Sequence, residues 1–61
     1  MNFKEHDIVI IKTNMVDIPL GSIGTIVYVY DNGEAVDVEF LKKDGTNTVE
    51  TLLLGQLEKI Q

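Results

Sequence analysis

The sequence has no cysteine, no arginine and no tryptophan in its 61 residues, and it has a single histidine, His6. Without cysteine there is neither a disulfide framework nor a thiolate metal site, and one histidine disfavours a structural zinc. Without arginine the chain lacks the side chain that most often binds phosphate or guanine through two hydrogen bonds. We therefore expect stability to come from dense packing of Val, Ile and Leu, or from a partner subunit.

Positive charge is also scarce, because five lysines face ten acidic residues and the net charge is −5. This balance is the opposite of the basic footprint on which nucleic-acid affinity depends, and it disfavours binding to anionic membranes. No apolar run approaches the length of a membrane span, and no basic segment precedes an apolar stretch as in a signal peptide. The sequence thus predicts a cytoplasmic protein with neither a nucleic acid nor a membrane as partner.

Short β-branched and aromatic segments separated by turn residues dominate what is present, and they predict an all-β fold. The predicted strands are Ile8–Ile11, Thr25–Tyr30, Ala35–Phe40, Thr46–Leu52 and a closing strand Glu58–Ile60 that pairs with the first. The segment Leu53–Leu57 breaks the alternation and indicates a short 3₁₀ turn before the last strand. Closing such a meander removes exposed strand edges, so we predict a single small five-stranded barrel domain over residues 1–61.

Glycines mark the predicted turns around the central hairpin. Gly21 and Gly24 flank the entry to the second strand, where a positive φ or a close approach of another segment favours glycine. Asn32-Gly33 is the preferred pair for a two-residue type I′ turn, and Gly45 is expected to supply the left-handed position of the next hairpin.

The third strand alternates between apolar and acidic residues, which is typical of a half-buried antiparallel strand. Its predicted inner residues are Val36, Val38 and Phe40, with Asp37 and Glu39 facing outward. By register, Val27 and Val29 are predicted to share the inner face.

Several segments resemble a bacterial family of small proteins known as domain of unknown function 4926. They are Phe3, His6–Val9, Leu20–Val27, Val38–Phe40 and Leu54–Leu57, which together extend over nearly the whole chain. The resemblance implies an SH3-like five-stranded barrel and brings no catalytic residues. Members often look like companions of toxin-like or uncharacterised neighbouring genes, which implies a binding or immunity role.

The pair His6-Asp7 is a candidate for general-base chemistry, since a carboxylate beside an imidazole tunes its pKa. Adjacent residues on a strand point to opposite faces, and no nucleophile accompanies the pair. We expect Asp7 to accept a backbone or turn hydrogen bond instead. The sequence predicts no catalytic residue, no metal site, no cofactor and no enzymatic activity.

The first long loop is apolar, and Tyr28 and Tyr30 share one face of the second strand. Aromatic residues beside an apolar loop are typical of protein interfaces. The predicted interface consists of Met15, Ile18, Pro19, Leu20, Tyr28 and Tyr30. The alternative is that the loop folds down and caps the open end of the barrel.

The sequence therefore predicts a non-enzymatic protein-binding module. One alternative is a homodimer that associates through a strand edge or through the loop Met15–Leu20. A second is an acidic, nuclease-blocking protein of the immunity type. That alternative depends on the acidic outer face of the central hairpin, formed by Asp31, Glu34, Asp37 and Glu39.

Overall fold

The computed structural model describes residues 3–60, which form one five-stranded antiparallel sheet. The strands are β1 (Ile8–Ile11), β2 (Ile23–Val29), β3 (Ala35–Leu41), β4 (Asn47–Leu53) and β5 (Leu57–Lys59), and a 3₁₀ turn at Leu54–Gln56 joins β4 to β5. The predicted all-β fold, its 3₁₀ turn and the pairing of the last strand with the first are confirmed. Met1, Asn2 and Gln61 of the predicted domain lie outside the described residues. No helix within residues 3–60 is long and apolar enough to cross a membrane.

The strand order is β4-β3-β2-β1-β5, so β4 and β5 are the outer strands. In the described part of the chain no ladder joins these two strands, and the sheet is not closed. The closed barrel predicted from the sequence is therefore not confirmed. The consequence is that β4, a strand of seven residues, keeps one side without a neighbouring strand.

The core lies on one face of this sheet, called here the inner face. Its buried side chains come from all five strands and from the loop between β1 and β2, and they are Val9, Ile11, Ile18, Ile26, Val36, Val38, Phe40, Leu52 and Leu57. The alternation predicted for β3 is confirmed, since all three of its apolar inner residues are buried.

A β-bulge in β2 corrects the predicted face of Val27. Ile26 pairs with Val38, but Tyr28 pairs with Asp37, so the register shifts at the residue between them. Such an extra residue leaves the ladder and bends its strand. Val27 is 41% exposed, and its prediction as an inner residue is wrong.

The turn between β2 and β3 is also different from the one predicted. The Gly33 N–H donates to the Tyr30 carbonyl at 2.9 Å, and the Tyr30 N–H donates to the Ala35 carbonyl at 3.1 Å. Gly33 has a φ of 71°, whereas Asn32 is not among the residues with positive φ. A type I′ turn needs positive φ at both central residues, so the predicted two-residue loop is wrong and the loop has four residues.

The side chain of Asn32 gives the physical reason. Its Oδ1 accepts a hydrogen bond from the Glu34 N–H at 2.8 Å, a local bond that favours a longer turn. The second hairpin follows the prediction, because Gly45 has a φ of 91° and its N–H donates to the Lys42 carbonyl at 3.0 Å.

Gly24 lies on the inner face of β2, beside the inner residues of the neighbouring strand β3. A Cβ atom at this position would lie 2.6 Å from Val38 Cγ1 and 2.7 Å from Phe40 Cε1. Both neighbours are fully buried, so they have little room to move away. A residue without a side chain is therefore required for the strands to pack this closely.

We predict that Gly24→Ala lowers the free energy of unfolding by about 1–3 kcal/mol, because an extra methyl group overpacks the core. Gly55→Ala is the matched control, since a Cβ there meets open space and its φ is not positive. Urea denaturation of both variants measures the difference. Equal stability of the two variants would contradict the packing described for Gly24.

Candidate functional site

The structure separates the apolar loop residues of the predicted interface into two groups. Ile18 is 2% exposed and belongs to the core, and Met15 packs against it. Pro19 is exposed and Leu20 is 61% exposed. Part of the loop therefore covers the core, and the part next to β2 remains available at the surface.

The two tyrosines lie at the other end of β2 from this loop. Their ring centroids are 4.9 Å apart in an edge-to-face arrangement. Ile23 and Tyr28 are five positions apart along the strand, which corresponds to roughly 16 Å at about 3.3 Å per residue. The structure thus places the loop and the tyrosines on separate surfaces. Their role in binding a partner stays a prediction.

Asp37 links the tyrosines to the rest of the outer face. The Tyr30 hydroxyl donates to both carboxylate oxygens of Asp37, at 3.1 and 3.2 Å, and the Thr51 hydroxyl donates to Oδ1 at 2.6 Å. These bonds connect β3 with β4 and with the residue that follows β2. Asp37 is therefore engaged within the sheet, while Glu39 beside it is exposed.

Asp7 stabilises the turn that leads into β1. The Asp7 N–H donates to the Lys4 carbonyl at 3.1 Å, and the Lys4 N–H donates to Asp7 Oδ2 at 2.9 Å. His6 adopts a φ of 76° within this turn and is exposed. The expectation that Asp7 accepts a turn hydrogen bond is confirmed. Within residues 3–60 no three His, Asp or Glu side chains are grouped so that they could hold a metal ion.

Opposing influences act on the pKa of Asp7. Burial raises it, but the hydrogen bond from the Lys4 amide and the Lys59 ammonium, 3.4 Å from Oδ2, outweigh burial. The pKa of Asp7 is therefore held below its ordinary value of 3.8. The ionised carboxylate is thus a stabilising group of the folded chain.

A cavity of about 400 Å³ lies between the β1–β2 loop and the inner face of β4. The Lys43 N–H donates to the Asp17 carbonyl at 3.3 Å, which ties this loop to the β3–β4 hairpin. The lining combines apolar, charged and amide side chains, among them Met15, Ile18, Lys42, Glu50, Leu52 and Gln56. The volume is within the range of ordinary ligand pockets.

Glu50 is the acidic residue of the inner face of β4. It pairs across the ladder with Val38, is half-buried and lines the cavity. The Thr48 hydroxyl donates to its Oε2 at 3.0 Å. Lys42 lines the same cavity, but in the described part of the chain it forms no salt bridge with Glu50.

The β3–β4 hydrogen bonds show which backbone groups of β4 point away from β3, toward the open edge of the sheet. The Lys42 N–H donates to the Thr46 carbonyl, and the Leu54 N–H donates to the Glu34 carbonyl, at the two ends of an unbroken register. Hydrogen-bonded pairs alternate along an antiparallel ladder, so the even-numbered residues of β4 bond to β3. The N–H and C=O groups of the odd-numbered residues point away from the sheet. We call this side, with Asn47, Val49 and Thr51, the β4 edge.

The end of the β4 edge is closed by a side chain. The Leu53 N–H, which also points outward, donates to Gln56 Oε1 at 2.9 Å. The backbone groups of Val49 and Thr51 have no partner among residues 3–60. Two residues of the edge, Val49 and Thr51, are therefore available for pairing.

Apolar side chains accompany these backbone groups on the outer face. Val49 is 54% exposed and Leu53 is 59% exposed, and Leu41 on β3 is exposed as well. None of the three is among the interface residues predicted from the sequence. The alternation of β4 carries the signal, since Val49 and Leu53 have the opposite parity to the buried Leu52. The open edge itself has no signal in the sequence.

Comparison with known proteins gives one match. The profile of the family described as "Domain of unknown function (DUF4926)" matches residues 5–59, a range that includes all five strands. No curated protein and no solved structure matches the chain. The resemblance inferred from the sequence is confirmed.

We predict that amide hydrogen exchange alternates along β4. The Val49 and Thr51 amides face solvent and are expected to exchange at least about tenfold faster than the bonded amides of Glu50 and Leu52. Two-dimensional NMR during exchange into D₂O measures these rates. The Leu53 amide is the internal control, because it should be protected in the wild type and lose protection in Gln56→Ala. Uniform protection along β4 would contradict the assigned edge.

We predict that Asp7 contributes stability that is lost in acid. Its pKa is lower in the folded state than the unfolded value of 3.8, so its contribution is complete above that value and disappears as the pH falls through the folded-state pKa. Asp7→Asn should therefore be destabilised near neutral pH and approach the wild type at the acid end. Denaturation at a series of pH values measures the difference. Glu34→Gln, in the exposed β2–β3 loop, is the control that should leave it unchanged.

Proposed function

The chain belongs to the DUF4926 family, a domain of unknown function, and we propose from its open sheet edge that it is a protein-binding module that takes up an extended segment of a partner at the β4 edge. The observation that carries the proposal is the row of unpartnered backbone groups at Val49 and Thr51. A strand added to such an edge gains main-chain hydrogen bonds whatever its sequence, while the alternate side chains select the partner.

The β4 edge has few of the features that protect edge strands from pairing. Natural edges carry lysine, proline, a bulge or an inward-facing charge, or they are very short, and of these features β4 has the inward-facing charge of Glu50. β4 has seven residues, its register with β3 is unbroken, and it contains neither lysine nor proline. The opposite outer strand, β5, has only three residues. This contrast supports β4 as the side that receives a partner.

Hydrogen bonds alone do not account for stable binding. About four edge bonds contribute roughly 2–6 kcal/mol in total, which is less than or comparable to the cost of association of about 4–15 kcal/mol. The exposed side chains of Val49 and Leu53 lie beside the edge and offer apolar area to the same partner. The proposed partner segment therefore has apolar residues at the positions whose side chains lie on the outer face of the sheet.

The module is proposed to act without catalysis and in the cytoplasm. The net charge of −5 supports a partner that is neither a nucleic acid nor an anionic membrane. The nuclease-blocking alternative stays a prediction; its acidic face includes Asp37, which accepts hydrogen bonds from the hydroxyl groups of Tyr30 and Thr51 and keeps its charge.

Self-association is the second candidate, because a second copy presents the same open edge. Two copies of β4 can pair in antiparallel fashion about a two-fold axis, which is the simplest way for an open edge to gain a neighbour. Such a homodimer sediments at twice the monomer mass of 6.8 kDa.

A photo-reactive amino acid at Leu53, introduced into the cells that naturally produce the protein, tests the proposal. We expect a covalent adduct with another protein, because Leu53 is exposed beside the β4 edge. Adding Val49→Pro should abolish the adduct, since proline removes an outward N–H while leaving the bonds to β3 in place.

The same amino acid at Asp31, in the exposed β2–β3 loop, is the matched control and should give no adduct. An adduct only with a second copy of the chain, together with sedimentation as a dimer, would establish self-association instead. Equal adducts at both positions, or none at Leu53, would contradict binding at the β4 edge.

A further inference from the structure

We propose that the partner segment is basic, and that a lysine or arginine of the added strand enters the cavity beneath β4 and pairs with Glu50. This inference depends on the proposed binding at the β4 edge and specifies the chemistry of its partner. It follows from the position of the cavity, from the unused hydrogen-bond acceptor sites of the Glu50 carboxylate and from the charges of β4 itself.

The cavity reaches the β4 edge. Gln56 lines the cavity, and its Oε1 accepts the hydrogen bond from the outward-facing N–H of Leu53. The inner-face residues Thr48, Glu50 and Leu52 line the same cavity and lie on the edge strand. A strand that adds to β4 therefore has this cavity directly beside its inward-facing side chains.

Side-chain alternation places a partner residue next to Glu50. Successive residues of a strand point to opposite faces. The partner residue opposite Val49 points to the outer face, so the partner residues before and after it point to the inner face. Cross-strand neighbours on one face are about 4.5–5.5 Å apart at Cβ, within reach of a long basic side chain. The apolar lining from Met15, Ile18 and Leu52 can contact the aliphatic part of that side chain.

The Glu50 carboxylate has the capacity to accept such a cation. Of its acceptor sites one is used by the Thr48 hydroxyl, and Lys42 forms no salt bridge with it in the described part of the chain. The residues that line the cavity include two acidic ones, Asp17 and Glu50, and one basic one, Lys42, so acidic residues outnumber basic ones. A hydrogen bond between a cation and a half-buried carboxylate is stronger than one between neutral groups.

The same charge disfavours a second copy as the occupant. β4 contains Glu50 and no lysine or arginine. In antiparallel pairings of two β4 strands about their centres, the two Glu50 residues lie opposite or diagonal to each other, which is destabilising. Each chain also has a net charge of −5. An inward-facing charge on an edge strand prevents self-pairing, and here it also specifies the sign of the partner.

Selection from a displayed library of random eight-residue segments against the full chain tests the inference. We expect enriched segments to alternate β-branched or aromatic residues with polar ones and to carry lysine or arginine at an inward position. For a synthetic peptide of the enriched sequence, Glu50→Gln should weaken binding at least about tenfold, the loss typical of a bond to a charged group. Glutamine retains an acceptor for the Thr48 hydroxyl, so the fold of β4 is preserved.

Two further variants make the result specific. Glu39→Gln removes the same charge from the outer face of β3 and should change the affinity by less than about threefold, because exposed charges are screened. Glu50→Lys should lose the basic peptide and bind its charge-reversed form, in which the basic residue is replaced by glutamate.

The outcomes separate this inference from the proposed function. Enriched segments without a basic residue, an affinity unchanged in Glu50→Gln, or no enriched segment at all would overturn the basic partner. If enriched segments without a basic residue lose binding in Val49→Pro, pairing at the β4 edge is supported and only the predicted charge of the partner is wrong. Peptide binding that survives Val49→Pro would overturn both.

Discussion

The structure depends on one constraint, which is that a single sheet has to bury its own apolar face. No second sheet and no α-helix covers the inner face within residues 3–60, so the strands must curve and pack their side chains against one another. The absent side chain of Gly24 allows Val38 and Phe40 of β3 to pack directly against β2. The bulge at Val27 bends β2, and Ile18 of the first loop completes the core. Because the chain has no cysteine, no disulfide supports a core of this size.

The lack of a second layer also explains why the inner face of β4 is only partly covered. Its inner face contributes a single buried side chain, Leu52, and half-buried polar residues occupy the other inner positions. The loop between β1 and β2 passes over this polar region without filling it, which leaves the cavity lined by Glu50. Where the core is thin, backbone groups, a carboxylate and exposed apolar side chains occur together. Such groups are compatible with a stable fold only at its periphery, and there they are available for binding.

The strands and the core were predictable from the sequence because alternation in β3 and β-branched runs in β1 and β2 are local signals. The errors have local causes as well. Asn32-Gly33 has the composition of a type I′ turn, but the Asn32 side chain bonds to the Glu34 N–H and lengthens the loop. Val27 lies at a bulge, and a single inserted residue reverses the face of its neighbours without any change in composition. The β4 edge was not predictable, because whether β4 and β5 meet depends on the curvature of the whole sheet.

The hydrogen bond from the Leu53 N–H to Gln56 Oε1 has a consequence for alignment. A strand that adds to β4 finds an acceptor already in place at Leu53, so it cannot extend its ladder beyond that point without displacing the amide. In the proposed complex, Gln56 therefore marks the end of the ladder and fixes the register of the added strand along β4. The number of residues between the end of the paired segment and its residue beside Glu50 is then set by the positions of Leu53 and Glu50 on β4. Partner segments of different length then align with β4 from the same end of the ladder.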